Sequence, residues 1–343
     1  SKRLSAYECA IYDGGWVTFN FGVLGAAKIT PMALLEPVSA EPLTRAYCIA
    51  ARDPIRAAAF AKTHHIGKVH PDYQAVLDDP VIDAVYIALP ISEHAEWTNK
   101  ALSAGKHVLC EKSLASNAAE ALGMQHQAEH SNRVLMEAFH YRYHPLFDAA
   151  IEVIHSGEIG TVEHLEALFH VKGPIPTDDI RRNYALGGGV LMDIGCYPVS
   201  WVRHLMQSEP QVMHANAVTD PEEVDIEMTA TFSFSNGATA MIQGSMQAGA
   251  DFKAVIEVVG SRGRMTVRNP LVPQLGHELI VTGIHGSRRV TFDQRASYAY
   301  QLDAFLGAVQ CGHSLWTDAK DAVKQLTVID ACYKKAGLRL RGG

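Results

Sequence analysis

The sequence predicts a doubly wound α/β domain with a parallel sheet, followed by an α+β domain built on a large, mostly antiparallel open sheet. Three observations carry this. Up to about residue 140, short apolar runs alternate with helix-like segments, as strands buried on both faces do. After about residue 160, strand-like stretches follow one another with little helix between. In Glu227 to Phe234 (EMTATFSF) polar and apolar residues alternate with period two, as on a sheet with one solvated or interface-forming face.

The elements follow in order. Phe19 to Leu24 is a short apolar strand ended by Gly25, with a helix after it through Leu35. Residues 45–51 (RAYCIAA) form a second strand. Asp53-Pro54 then opens a helix, Asp as N-cap and Pro at the first helical position. Residues 81–89 (VIDAVYIAL) form a strand, and 93–104 a helix closed by Gly105. Strand 107–110, helix 117–130 and strand 133–139 (RVLMEAF) complete the first sheet. The second sheet draws on 161–171, 211–219, 226–234, 238–246, 253–259, 263–267 and 278–282, with helices at 298–311 and 319–336. No internal repeat interrupts the pattern.

Bulk properties narrow the function. The 343 residues are 48% hydrophobic and 20% charged, enough for a sizeable core. The net charge of −7 argues against nucleic acid or an anionic membrane as partner, since both want a basic face. Residues 1–20 mix charged and apolar side chains, so no secretory segment is expected there, and no apolar run approaches the roughly 18 residues of a membrane span. The expected compartment is the cytoplasm. The six cysteines (9, 48, 110, 196, 311, 332) form no C-x-x-C pair and are expected as buried thiols. His126 and His130 stand one helical turn apart, but their context (GMQHQAEHSN) reads as a solvated helix face, so no metal is expected.

In a doubly wound sheet the ligand lies at the carboxyl ends of the strands, and the first turn carries the phosphate-binding glycines. Here that turn is GVLGAAKIT. Gly25 supplies the tight turn, Ala27 stands at the second glycine position and Thr30 at the third. Gly25, Ala27, Lys28 and Ile29 are the candidates for the pyrophosphate. At the end of the second strand an acid suits the ribose 2′-hydroxyl of NAD, and an arginine the 2′-phosphate of NADP. The chain has Ala51-Arg52 there, and Asp53 is committed to its helix cap. NADP(H) is therefore favoured over NAD(H), with Arg52 against the 2′-phosphate.

Two further stretches carry chemistry. HVLCEKSLASN (107–117) is a strand ending in an acid and a base, Glu111 and Lys112. ALGGGVLMDIGCYP (185–198) is a glycine loop opening a helix, with Asp193 and Tyr197 four apart on one face. An acid and a phenol so placed suit either a structural hydrogen bond or proton transfer.

In order, the strand–Gly25 turn, ARD, ALPISEH, CEKS, MEAF and GGGVLMDIGCYP resemble the Gfo/Idh/MocA family of oxidoreductases. The motifs run from about residue 20 to 205, and the architecture continues to 336. The D-I-G-x-Y version resembles the branch of dimeric dihydrodiol dehydrogenase, NADP-dependent xylose dehydrogenase and glucose–fructose oxidoreductase. The resemblance implies a Rossmann domain over 20–141 and a substrate-binding and dimerisation domain over 142–343, with 1–19 an extension. It implies that Lys112 faces the nicotinamide and the reacting carbinol, and that Glu111 lies beside the nicotinamide ribose. Leu89, Pro90 and His94 match the loop closing over the cofactor. Tyr197 matches the catalytic tyrosine and Asp193 the acid that orients substrate. Substrate contacts are expected from Tyr141, Arg142, Arg181, Asn183, Asp193 and Tyr197. The second sheet is expected to face a partner subunit in a homodimer or tetramer.

The expected activity is hydride transfer between a nicotinamide cofactor and a sugar, cyclic polyol or dihydrodiol. The alternatives are a non-catalytic dinucleotide sensor or corepressor, which has no need of Lys112, Asp193 and Tyr197 together, and an NAD-dependent glycosidase. The chain departs from the family's E-K-P at Glu111-Lys112-Ser113. A cis bond before a non-proline costs about 3–4 kcal/mol. The expectation is a trans Lys112–Ser113 bond, or else a conspicuous strained one.

Overall fold

The structure is a computed structural model describing residues 18–284 and 286–342. Most of the extension expected at 1–19 lies outside them. The chain forms two compact units. One contains the described residues up to Leu114, with Ala119–His140 and Tyr298–Ala322; the other contains Ala115–Ala118, Tyr141–Ser297 and the described residues from Val323 on. The units are thus interleaved in sequence rather than two contiguous blocks.

In the first unit, strands β1 (Phe19–Leu24), β2 (Thr44–Ala50), β3 (Lys68–Val69), β4 (Ala84–Ile87), β5 (His107–Cys110) and β6 (Leu135–Glu137) form one parallel sheet in the order β3-β2-β1-β4-β5-β6. The order reverses between β1 and β4, which makes their carboxyl ends the ligand crevice of such a sheet. All residues of β1 and β4 are buried, the reason these strands read as unbroken apolar runs. Between the strands lie α1 (Glu36–Ala40, entered through a π-helical turn Pro31–Leu35), α2 (Pro54–Thr63), α3 (Tyr73–Asp78), α4 (Ile91–Ser103) and α5 (Ala118–Ser131). Asp53 caps α2 as expected, accepting from Ile55 N at 2.9 Å and Arg56 N at 3.3 Å. The sequence pattern missed β3 and α3, which are too short for periodicity to register.

The second unit opens with α6 (Pro145–His155) and β7 (Val162–His170). A π-helical turn, Leu191–Gly195, leads into α7 (Cys196–Met206). Strands β8 (Gln211–Thr219), β9 (Asp225–Ser233), β10 (Thr239–Ser245), β11 (Lys253–Gly260), β12 (Gly263–Arg268), β13 (Glu278–Gly283) and β14 (Gly286–Val290) complete an eight-stranded open sheet, order β14-β13-β12-β11-β7-β10-β9-β8. The pairing of β7 with β10 is parallel and the other ladders are antiparallel. In β9, Met228, Ala230 and Phe232 are buried while Thr229 and Thr231 are half-exposed, so the period-two reading holds. Two helices follow: α8 (Ser297–Cys311) and α9 (Ala319–Lys335). All but the first residue of α8 belongs to the first unit, where the Phe305 ring packs 5.7 Å from that of Phe21 on β1.

Cys48, Cys110, Cys196 and Cys332 are free and buried, as expected. Cys311 departs from that expectation, being disulfide-bonded.

Candidate active site

At the crevice of the parallel sheet, Gly25 has φ +99°, a conformation L side chains rarely adopt. A Cβ there would stand 2.5 Å from the carbonyl oxygen of Ala88, beyond the end of β4. Ala27 and Ile29 are half-buried, Lys28 exposed. Thr30 is fully buried, and its hydroxyl has no hydrogen-bond partner in the protein. A tight turn, main chain entering a helix and a buried orphan hydroxyl fit a pyrophosphate at this turn. Arg52 is exposed beyond β2, and its backbone N–H donates to Tyr73 Oη at 3.2 Å. Arg56, unremarked in the sequence, donates from Nη2 to Ala26 O at 2.7 Å, tying α2 to the first turn.

Beyond β5, Glu111 and Lys112 are half-buried. Tyr86 Oη donates to Glu111 Oε1 at 2.6 Å. Burial and the Glu111 carboxylate together push the Tyr86 phenol well above its ordinary pKa, so it remains a donor. The Lys112–Ser113 peptide is cis, which corrects the trans expectation. Side chains hold both ends of the next peptide group, between Ser113 and Leu114. His94 is buried, with Nδ1 2.9 Å from Ser113 O and Nε2 2.9 Å from Leu89 O. The buried Glu137 accepts from Leu114 N at 2.7 Å. Burial lowers the His94 pKa, with Lys112 adding to the effect. A neutral ring has one N–H, so it donates to one of the two carbonyls at a time. His94 therefore lies between the ends of β4 and β5, joining the Leu89 loop to the Lys112 loop.

In the second unit, Asp193 lies in the π turn before α7 and Tyr197 in the first turn of α7. Single π turns recur at functional sites. The Arg181 guanidinium bonds both oxygens of Asp179 at 2.8 Å and reaches Asp193 Oδ2 at 3.7 Å. Tyr197 is 5% exposed. Its ring meets Phe169 edge-on at 5.6 Å, Tyr141 at 6.1 Å and Trp201 at 6.2 Å. The structure therefore brings together Arg181, Asp193 and an aromatic setting for Tyr197. Tyr141 is fully buried with Oη 2.6 Å from Ser200 Oγ, and Arg142 is buried, donating to Asp148 Oδ1 at 2.7 Å. Both thus bond inside the protein. Asn183 is exposed, and its Oδ1 caps a short turn by accepting from Ala185 N at 3.0 Å.

The sequence model described as "oxidoreductase family, NAD-binding Rossmann fold" matches residues 19–139, and that of the "GFO/IDH/MocA C-terminal domain" matches 147–266. The chain belongs to the Gfo/Idh/MocA family. It is therefore an NAD(P)-dependent oxidoreductase, a Rossmann unit joined to a unit with a separate, mostly antiparallel sheet. It is 34% identical over 316 residues to D-xylose 1-dehydrogenase (NADP(+)) 2 of Haloferax volcanii, covering 92% of this chain and 97% of that protein. It is 32% identical over 247 residues to trans-1,2-dihydrobenzene-1,2-diol dehydrogenase of Xenopus tropicalis, covering 71% and 73%. Among solved structures, a 3-ketoreductase from Actinomadura kijaniata in complex with NADP and TDP-benzene superposes with a TM-score of 0.86 at 28% identity, covering 93% of this chain and 98% of that one.

Sequence reasoning missed three side chains that tie these loops down, Glu137, Asp225 and Arg56. Glu137 was visible as an acid inside an apolar strand run, and Asp225 as an acid opening one. Arg56 carried no signal beyond its place in the helix after Arg52. Among the described residues no group of three or more His, Cys, Asp or Glu side chains could hold a metal ion, and no helix is long and apolar enough to cross a membrane.

Proposed function

We propose that the chain is an NADP(H)-dependent sugar dehydrogenase or reductase, with Tyr197 as proton-transfer group and Lys112 as its electrostatic partner. The observation that carries the reading is the start of α7: Tyr197 is ringed by aromatic side chains four residues after Asp193, which pairs with Arg181. The names of the relatives, a xylose dehydrogenase and a sugar-nucleotide ketoreductase among them, support a sugar as substrate. When bound, the nicotinamide supplies the hydride acceptor or donor. The turn at Gly25, Ala27, Lys28 and Ile29 holds the pyrophosphate, Leu89 and Pro90 flank the cofactor, and Glu111 binds the ribose. Arg52 answers the 2′-phosphate, because Asp53 is occupied by its cap.

In oxidation Tyr197 takes the hydroxyl proton from the carbinol; in reduction it returns it. A free phenol titrates near about 10, too high for an efficient base at neutral pH. An ammonium beside a phenol favours the phenolate, and this is the role of Lys112. Asp193, fixed by Arg181, orients a neighbouring hydroxyl. Tyr197→Phe is expected to lower turnover about 10²–10⁴-fold while NADP⁺ binding, followed by fluorescence titration, is kept. Near-normal turnover in that variant with a dead Lys112→Met would make Lys112 the proton donor instead. Arg52→Ala is expected to weaken NADP⁺ far more than NAD⁺; equal loss, or none, counts against the 2′-phosphate assignment. The substrate is found by a panel of aldoses, ketoses, inositols and dihydrodiols with NADP⁺ and NADPH.

The same reading makes the second sheet a homodimer interface. Met213, Val218 and Val259 on its strands are each at least 41% exposed. Sedimentation of the wild type and of Val259→Arg tests it: a wild-type monomer ends this part of the reading.

A further inference from the structure

The fully buried Arg341 is not used in the mechanism above, and it lies in the segment after α9. Its Nε donates to Gly188 O at 2.6 Å, its Nη2 to Asp225 Oδ1 at 2.6 Å and its Nη1 to Arg339 O at 3.0 Å. The guanidinium also sits 4.3 Å over the Tyr333 ring and 4.9 Å over that of Tyr184. Asp225 completes the figure: Oδ1 accepts from Tyr333 Oη at 3.0 Å, and Oδ2 from Leu191 N at 2.7 Å. The pair therefore grips the glycine loop from both sides, by its carbonyl at 188 and its amide at 191.

That loop has no room to shift. Gly188 N donates to Asn183 O and Gly189 N to Arg181 O, both at 2.9 Å, so the loop also carries the segment that presents Arg181. Gly189 has φ +134°, and a Cβ on it would collide with Asp225 Oδ1. Two residues beyond Leu191 comes Asp193; four beyond that, Tyr197. The neighbouring main chain is tied in as well: Tyr184 Oη donates to Leu340 O at 2.5 Å, and Asn117 Nδ2 to Arg341 O at 2.8 Å.

We propose that Arg341, through Asp225, is a positioning residue for the substrate side of the site: a latch that holds the 187–191 loop, and with it Arg181, Asp193 and Tyr197, in register. This rests on the reading of Asp193 and Tyr197 as substrate-side groups. A guanidinium suits the task because it bonds a carbonyl and a carboxylate in one plane, which an ammonium cannot do from one position. Displacing catalytic groups by about 1 Å is enough to cost about 10²-fold in rate.

The test uses the full chain with Arg341→Lys, which keeps a cation for Asp225, and Arg341→Met as the stronger lesion. Hydrogen exchange is read on peptides covering 181–197 and on peptides of β1 to β6 in the same sample. NADP⁺ is titrated, and kcat and KM are measured with D-xylose or, if the wild type leaves that sugar untouched, with the panel sugar it turns over. Expected for Arg341→Lys are exchange about tenfold faster confined to 181–197, unchanged NADP⁺ affinity and stoichiometry, and kcat/KM down about 10²-fold with a raised KM. Unchanged exchange in the loop overturns the latch. So does exchange raised equally across the chain, which is general destabilisation, and so does a loosened loop with unchanged kcat/KM. An active Tyr197→Phe would sink the catalytic reading by itself, whereas the exchange pattern reports on the latch alone.

Discussion

The side chains that hold Lys112 are as informative as Lys112. His94 and Glu137 fix the carbonyl of Ser113 and the amide of Leu114, the two ends of the peptide group that follows the Lys112–Ser113 bond. An unsatisfied buried polar group costs about 1–3 kcal/mol. His94→Ala leaves the Leu89 and Ser113 carbonyls without the ring between them, and is expected to cost about that much in stability. It should also lower turnover at saturating NADP⁺, because the Lys112 loop loses an anchor. His94→Asn, whose amide can still donate to one carbonyl, should recover part of both. Denaturant melts and steady-state rates read these effects; full activity in His94→Ala would show that the loop does not depend on the clamp. Lys112 stood out in the sequence because it follows a buried strand at its carboxyl end, the end at which a doubly wound sheet binds its ligand. The clamp was not, because its members lie 19 and 23 residues away along the chain from the groups they bind, and meet them only through the order of the sheet.

Among the elements, the buried strands of the parallel sheet were legible because burial on both faces leaves a continuous apolar run. Strand β14 was not, since it is a polar edge with four of its five residues exposed. Helix α6 offered a signal that went unread: Leu146, Phe147, Ala150 and Val153 recur at helical spacing and are its buried positions. The first turn of α2 was read correctly, and it bears on the cofactor. Asp53 accepts two backbone N–H groups, and losing such a cap costs about 0.5–2 kcal/mol. Asp53→Ala is expected to lower the urea midpoint accordingly while leaving NAD⁺ affinity as it was. A selective loss of NAD⁺ binding would instead mean that this carboxylate serves the ribose, and the preference for NADP(H) would fall with it.

At the scale of the whole molecule, the two sheets were legible from the change in rhythm near residue 160, whereas the interleaving of the units was not. Residues 298–322 join the first unit by packing such as Phe305 on Phe21, a contact between positions far apart in sequence that no local pattern records. Each unit also contains a histidine held neutral. In the first, burial and then Arg133 push His107 down to about 4, and its Nδ1 accepts from Val134 N at 3.0 Å. In the second, burial and then His277 push His144 down to about 4, and its Nδ1 accepts from Leu146 N at 3.1 Å, capping α6. Both rings act as acceptors, so protonation breaks a bond as well as burying a charge. In the unfolded chain each titrates near about 6.5. As pH falls through that value the unfolded chain binds protons first, so the stability these rings contribute is whole above about pH 6.5 and shrinks toward about pH 4. Below that the next loss comes from Asp79, held at about 2 mainly by Lys68, whose contribution declines between about pH 4 and pH 2. Urea midpoints measured from pH 7.5 to 4.5 should therefore fall steadily. The fall should be shallower in His107→Asn and in His144→Asn, where an amide oxygen keeps an acceptor that does not titrate. A slope in both variants equal to that of the wild type would place the acid sensitivity elsewhere, in groups other than these two rings.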